Sequence, residues 1–146
     1  MPAGGARDDD LQRAARAIAL AARRLERATP DLTLAQYRVL ALVAGGDERS
    51  SLLAGRLAVA KPTVTAVVDG LVERGYLARE AVAGDRRSQR LVVTRTGRKA
   101  LAAAEDVMAD ALGSVVEHTA SGRTIVEALC LLDDAMTAFY VERLRR

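Results

Sequence analysis

The spacing of apolar residues changes from helical to extended at one place in this chain, residues 76–93, and this change constrains the fold most. On both sides of it, apolar residues recur every three or four positions, which is typical of amphipathic helices. Within it, residues 76–82 and 88–93 favour two strands, joined by the turn Ala83-Gly84-Asp85-Arg86-Arg87. The sequence therefore predicts a mainly α-helical protein with one small β-hairpin.

Capping and stop signals divide the helical part of the chain. Thr33 and Gln36 can form a capping box, Thr94 can act as an N-cap, and Gly75 follows the helix that precedes the hairpin. With these signals, the predicted helices span 8–28, 33–44, 52–57, 62–74, 94–116 and 121 onward. The first seven or so residues are expected to form a tail.

Two of these helices, 52–57 and 62–74, are short and joined by a short turn, which predicts a helix-turn-helix. The second helix of such a pair is the one that enters the major groove of DNA, and a hairpin directly after it makes a winged variant.

The charge of the chain is concentrated in this hairpin. Residues 79–99 carry seven cations and two anions, a net charge of +5, and because the whole chain carries +3, the remainder carries −2. A basic hairpin behind a helix-turn-helix indicates contact with DNA phosphates or with a narrow minor groove. An ordinary charged surface turn is the alternative interpretation.

Two stretches carry a family resemblance: SSLLAGRLAVAKPTVTAVVDGLVERGYLAR at 50–79 and GDRRSQRLVVTRTG at 84–97. They resemble the MarR family of transcriptional regulators. The wing pattern of that family is matched at Asp85, Arg87, Leu91, Val93, Thr94 and Gly97. The resemblance implies a single domain over 1–146, with a winged helix-turn-helix DNA-binding lobe at 33–97 and dimerisation helices at 8–29 and 98–146.

By resemblance, the protein is expected to be an obligate homodimer that binds a pseudo-palindromic double-stranded DNA operator, and to act as a ligand-responsive repressor. The apolar faces of the terminal helices support a dimer independently, since they need a partner. Two lobes would then enter major grooves about 34 Å apart.

The resemblance also implies a small phenolic or lipophilic effector in a cleft between the lobe and the dimerisation helices. Such a cleft could involve Leu11, Ala15, Tyr37, Leu40 and the helix after the wing. A plain core role for these residues is the alternative, so the effector site stays unassigned.

The predicted DNA-binding residues lie in two groups. Lys61, Pro62, Thr63 and Thr65 begin the second helix, and Arg86, Arg87 and Arg90 lie in the wing, where Gly84 and Asp85 are assigned to the structure of the turn. Ala66 and Gly70 stand where the family often has longer polar side chains, and alanine cannot make bidentate contacts with bases. The hypothesis is therefore that this chain depends unusually strongly on its wing arginines and on DNA shape.

Other classes of function find little support in the residues. Neither a nucleophile paired with a base, nor a phosphate-binding loop, nor metal-ligand spacing is visible, so an enzyme, a cofactor and a metal site are not predicted. Four aromatic residues are too few for the stacking platforms of single-strand binding. A winged-helix module for protein–protein contact is the remaining alternative, but it needs no basic wing.

The sequence also suggests where the protein works. It has no apolar run long enough for a membrane helix and no visible signal peptide, and its one cysteine, Cys130, cannot form an internal disulfide. A cytoplasmic protein is therefore expected, with Cys130 engaged in packing.

Overall fold

The computed structural model describes residues 3–29, 31–46, 50–57, 59–82 and 85–144, with the side chains of 3–6, 50–52, 85–88, 143 and 144 left out of the description. Within these ranges the chain forms six helices and a two-stranded hairpin, which confirms the predicted fold class. The elements are α1 (Ala3–Ala28), α2 (Leu34–Ala44), α3 (Ser50–Leu57), α4 (Lys61–Glu73), β1 (Leu77–Val82), β2 (Asp85–Val93), α5 (Arg95–Val116) and α6 (Gly122–Leu144).

The helix ends follow the predicted caps in most places. The Thr33 hydroxyl accepts from the Gln36 N–H, and the Gln36 side chain accepts from the Thr33 N–H, so the capping box of α2 is complete. Gly75 has φ +70°, the left-handed conformation that ends a helix at low cost only for glycine.

The start of α1 differs from the prediction. This helix begins at Ala3 rather than at residue 8, so the expected tail of about seven residues is wrong from Ala3 onward. Gly4 and Gly5 disfavour helix, but unlike proline they keep the backbone N–H, so they do not interrupt the hydrogen-bond ladder of α1.

The helix-turn-helix consists of α3 and α4 and is confirmed. Helix α4 begins one residue earlier than expected, so Pro62 occupies its second position and Lys61 its first. Proline fits there as well, because the N–H groups of the whole first turn lack partners within a helix. Val64, Val68 and Leu71 are the buried residues of α4, and they face α2 and β1.

The hairpin pairs β1 with β2 in antiparallel register, from Leu77 opposite Val93 to Ala81 opposite Gln89. The next pair is Val82 with Asp85. Ala81 and Val82 are adjacent on β1, but their partners on β2 are separated by Arg86, Arg87 and Ser88. The predicted five-residue turn is therefore too long. Asp85, Arg86 and Arg87 belong to β2, because pairing resumes at Asp85 beyond an irregularity of the bulge type.

One junction fixes the hairpin to the helices on either side of it. The Thr94 hydroxyl donates to the Gly75 carbonyl oxygen at 2.6 Å and accepts from the Gly97 N–H at 3.0 Å, while the Thr94 N–H donates to the Tyr76 carbonyl oxygen at 3.0 Å. The end of α4, the end of β2 and the start of α5 thus meet at a single threonine.

The core lies in the winged lobe and in the first half of α5. It is built from aliphatic side chains of α2, α3, α4 and the inner face of the hairpin, with Leu32 before α2. The buried residues are Leu32, Val39, Leu40, Val43, Leu53, Ala54, Val64, Val68, Leu71, Leu77, Leu91, Val93, Leu101, Ala104 and Met108.

The two ends of the chain contrast with this lobe. Leu11 and Ile18 of α1 are exposed, and so are the five residues predicted to form one apolar face of α6: Ile125, Leu129, Leu132, Met136 and Phe139. Cys130 is exposed as well, so its expected packing is not found within the chain. No described helix is both long enough and apolar enough to cross a membrane.

Candidate nucleic-acid interface

The first turn of α4 presents the predicted DNA-reading residues on the surface. Lys61, Pro62, Thr63 and Thr65 are all exposed, while Val64 between them points into the core. The N-cap residue is Ala60, which offers no side-chain oxygen to the first turn. Because Pro62 has no N–H and the N–H groups of Thr63 and Val64 donate to the Ala60 carbonyl oxygen, this helix end offers few backbone donors to an incoming acceptor.

The Thr65 hydroxyl is partly committed within the helix. It donates to the Lys61 carbonyl oxygen at 3.0 Å, one turn back. Its hydrogen is used there, so toward a base Thr65 presents hydroxyl lone pairs and a methyl group. It is thus suited to accept from an exocyclic amine or to touch a thymine methyl group.

The rest of the exposed face of α4 offers little for reading bases. Ala66 is exposed, and a side chain built at Gly70 would meet open space, so neither residue brings a polar group to this surface. The observation agrees with the expectation that long base readers are scarce on this helix.

The two faces of the hairpin carry different residues. Leu77, Leu91 and Val93 point inward and are buried, which fixes the hairpin to the lobe. Glu80 and Arg90 stand opposite each other on the outer face. Gly84 and the side chains of Asp85, Arg86 and Arg87 lie outside the described part of the chain.

Two ion pairs engage arginines of the hairpin, and sequence reasoning missed both. Arg79 pairs with Asp69 of α4, and Arg90 pairs with Glu80. The Glu80 pair follows from the hairpin register once the two strands are aligned. The Asp69 pair requires the packing of α4 against β1, for which the sequence has no local signal.

A third cation of the segment is also engaged within the protein. Arg98 donates to the Val93 carbonyl oxygen at 2.7 Å, next to the Thr94 junction. Arg98 keeps its charge in this hydrogen bond, and Glu80 is already counted in the local charge of +5. Among the pairs described here, only that of Arg79 with Asp69 brings in a carboxylate from outside residues 79–99.

A separate cleft of about 440 Å³ lies between α2, α3 and α6. It contains Tyr37, one of the four residues expected near an effector. Its lining combines two tyrosines, two arginines, one aspartate and aliphatic groups: Tyr37, Arg38, Ala41, Leu42, Arg56, Leu57, Asp133, Met136, Thr137 and Tyr140. Burial raises the pKa of the Tyr37 phenol above its usual value, and the nearby carboxylates of Glu105 and Asp133 raise it further.

The other residues expected near an effector lie elsewhere. Leu40 is fully buried in the core, and Leu11 is 65% exposed near the start of α1. A second cleft of about 410 Å³ includes residues of α5, as expected, together with Thr29, Leu32 and Tyr76. The four residues therefore do not form one site.

The sequence and the fold of this chain are similar to those of a known protein family. The MarR family model matches residues 31–88, which run from before α2 into β2. A MarR-family transcriptional regulator from Rhodococcus sp. RHA1 has the same fold, with a TM-score of 0.74, 21% identity, and coverage of 94% of this chain and 96% of the other. The chain thus resembles MarR-family transcriptional regulators in the sequence of its lobe and in its fold.

Two structures of the transcriptional repressor CouR resemble this chain. CouR bound to a 23-mer DNA duplex is 27% identical, with a TM-score of 0.69 and coverage of 82% of this chain and 87% of the other. CouR from Rhodococcus jostii RHA1 bound to p-coumaroyl-CoA is 22% identical, with a TM-score of 0.72 and coverage of 94% and 96%. No curated protein sequence matches the chain.

The chain has a winged-helix fold, and the family model and the solved structure that it resembles are those of transcriptional regulators. Among the described residues, no group of three or more His, Cys, Asp or Glu residues is placed to hold a metal ion.

Proposed function

We propose that this protein is a homodimeric, ligand-responsive repressor that binds a pseudo-palindromic operator in double-stranded DNA. The observation that carries the proposal is the exposed first turn of α4 followed directly by a basic hairpin. CouR, which shares the fold, is a repressor whose structure contains a DNA duplex.

The two elements divide the work on DNA. Lys61, Pro62, Thr63 and Thr65 enter the major groove with α4, where the threonines read base edges and Lys61 binds a phosphate or a guanine. The wing arginines, Arg86, Arg87 and Arg90, contact phosphates or a narrow minor groove. Gly84 and Asp85 shape the end of the wing.

The dimer is assigned to the helices at 8–29 and 98–146, outside the lobe at 33–97. Support comes from the apolar residues of α6 at positions 125, 129, 132, 136 and 139, which are between 36% and 53% exposed in the single chain. An apolar stripe of this length is covered most simply by the same stripe of a second copy, in an isologous interface.

We assign the effector to the cleft between α2, α3 and α6. Its volume, about 440 Å³, is in the range of small-molecule sites, and it joins the lobe to a helix of the proposed dimer interface. A small phenolic or lipophilic effector bound there would change the angle between lobe and dimer helices. The two α4 helices would then no longer fit grooves one turn apart, and repression would end.

The first test is the salt dependence of binding to random duplex DNA. A steep loss of affinity with rising salt is expected, because each phosphate contact releases counterions. Absence of binding at low salt would contradict the proposal and favour a protein–protein module. Selection of bound duplexes from a random pool would then reveal whether the preferred site is two-fold symmetric.

A further inference from the structure

The outer face of the hairpin holds an arginine that is already bound to a carboxylate. The Arg90 Nε and Nη2 atoms donate to the same Glu80 oxygen, Oε2, at 3.2 and 2.8 Å. The two residues are a directly opposed cross-strand pair, so the backbone register itself brings their side chains together.

We propose that Glu80 competes with DNA phosphate for Arg90 and so limits the sequence-independent part of DNA affinity. The inference rests on the proposed function, in which Arg90 is one of the wing residues that contact DNA. In this inference Glu80 affects DNA binding through Arg90, although Glu80 itself makes no favourable contact with DNA.

The exposure of the pair permits this competition. Both side chains are 47% exposed, so a phosphate can approach the guanidinium group while water still solvates the carboxylate. Exposed ion pairs contribute little to stability, whereas contact of Arg90 with a DNA phosphate is favoured by the release of counterions from the duplex. The Glu80 carboxylate opposes this exchange in two ways, because it holds Arg90 and repels the incoming phosphate.

The other ion pair of the hairpin serves a different purpose. Arg79 lies on the inner face with Leu77 and Leu91, and its partner Asp69 belongs to α4, so this pair joins the hairpin to the helix. The Arg90 and Glu80 pair lies within the hairpin, between two strands that the backbone ladder already joins. A change at Glu80 is therefore expected to leave the lobe folded.

The proposal predicts how Glu80→Gln changes DNA binding. With the carboxylate removed, Arg90 gains a phosphate contact, and the plot of log affinity against log salt steepens by about 0.9. The variant should bind several-fold tighter than the wild type at 50 mM salt, and this advantage should shrink about 3.5-fold by 200 mM. Random duplex and selected operator should gain equally, since phosphate contacts carry no sequence information.

A matched control separates this effect from a simple change in net charge. Glu127→Gln removes the same charge from another exposed pair, in which Arg123 Nε donates to Glu127 Oε1 at 2.9 Å on α6. Its salt slope should equal that of the wild type. In an Arg90→Gln background, Glu80→Gln should no longer steepen the slope.

The outcomes distinguish this inference from the proposed function. If the wild type binds duplex DNA but Glu80→Gln behaves like Glu127→Gln, the inference is wrong and the proposed function stands. The inference also fails if the gain persists in the Arg90→Gln background. If the wild type binds no duplex at low salt, the proposed function fails first, and the inference fails with it.

Discussion

At the scale of single residues, the Thr94 junction shows why glycine is required at position 97. A side chain at this position would collide with the Tyr76 carbonyl oxygen, which also accepts the Thr94 N–H. The Gly97 N–H in turn donates to the Thr94 hydroxyl. The backbone of α5 therefore approaches Tyr76, just before β1, too closely for a side chain at position 97. The φ angle of Gly97 does not show that glycine is needed, because it is not positive.

Gly97→Ala is accordingly expected to destabilise the protein by about 1–3 kcal/mol, the usual cost of overpacking. Gly113→Ala is the matched control in the same helix, because a side chain there meets open space. That substitution should stabilise the protein by about 0.5–1 kcal/mol through helix propensity. Urea unfolding of both variants would measure the two changes in the free energy of unfolding. Equal stabilisation by the two substitutions would contradict the close approach at Gly97.

Tyr37 gives the stability of the protein a pH dependence above pH 10. Because the pKa of Tyr37 is raised in the folded state, the unfolded chain loses its phenolic proton first as pH rises through the usual value of 10.0. The unfolded state then binds fewer protons than the folded state, so the free energy of unfolding falls from about pH 10 upward.

The expected result is that Tyr37→Phe reduces this fall. Urea unfolding at pH 8 and at pH 11 would measure it, with Tyr140→Phe as the control from the same cleft. If the Tyr37→Phe variant lost as much stability between these pH values as the wild type, the burial and the neighbouring carboxylates would not act on Tyr37 as described.

At the scale of elements, local signals predicted most of the fold. The caps at Thr33 and Thr94 and the stop at Gly75 set helix ends within the sequence neighbourhood that defines them. The end of the hairpin was not predicted, because whether Asp85 pairs with Val82 depends on an irregularity in the register and not on turn composition. The ion pair of Arg79 with Asp69 was missed as well, because it depends on the packing of α4 against β1, two elements that local sequence signals do not bring together.

The balance between α4 and the wing leads to a prediction about DNA recognition. Because Ala66 and Gly70 bring no polar groups to α4, we expect operator preference to depend strongly on the wing. Arg87→Ala should lower affinity at least about tenfold and reduce discrimination among operators, whereas Thr65→Ala should have the smaller effect on discrimination.

Binding of both variants to the selected operator and to point-mutated operators would test this balance. The hypothesis is wrong if Thr65→Ala abolishes discrimination while Arg87→Ala weakens binding evenly across all sequences. Such a result would mean that the wing contributes only sequence-independent phosphate contacts and that α4 reads the bases after all.

At the scale of the whole molecule, α6 carries an apolar stripe that remains exposed in the single chain. Helical periodicity predicted this stripe but did not indicate which surface covers it. In the same way, periodicity did not distinguish Leu40, which lies in the core, from Tyr37, which lines a cleft. Periodicity reports that a residue faces away from water, and the identity of the covering surface depends on contacts distant in sequence.

Adjacent leucines of α6 allow the proposed dimer to be tested with a matched pair of variants. Leu132 belongs to the stripe and is 38% exposed, whereas Leu131 is 69% exposed and lies on the side of Glu127 and Asp134. Leu132→Lys would place a charge in the interface, and Leu131→Lys would place the same charge next to carboxylates in water.

Sedimentation should therefore show monomers for Leu132→Lys at concentrations where the wild type and Leu131→Lys are dimers. Affinity for a two-half-site operator should fall at least about tenfold in the same variant, because the second lobe is no longer held near its groove. The added positive charge alone would strengthen DNA binding, so a loss of affinity cannot come from electrostatics. Dimers of unchanged stability in Leu132→Lys would show that this stripe of α6 is not the interface.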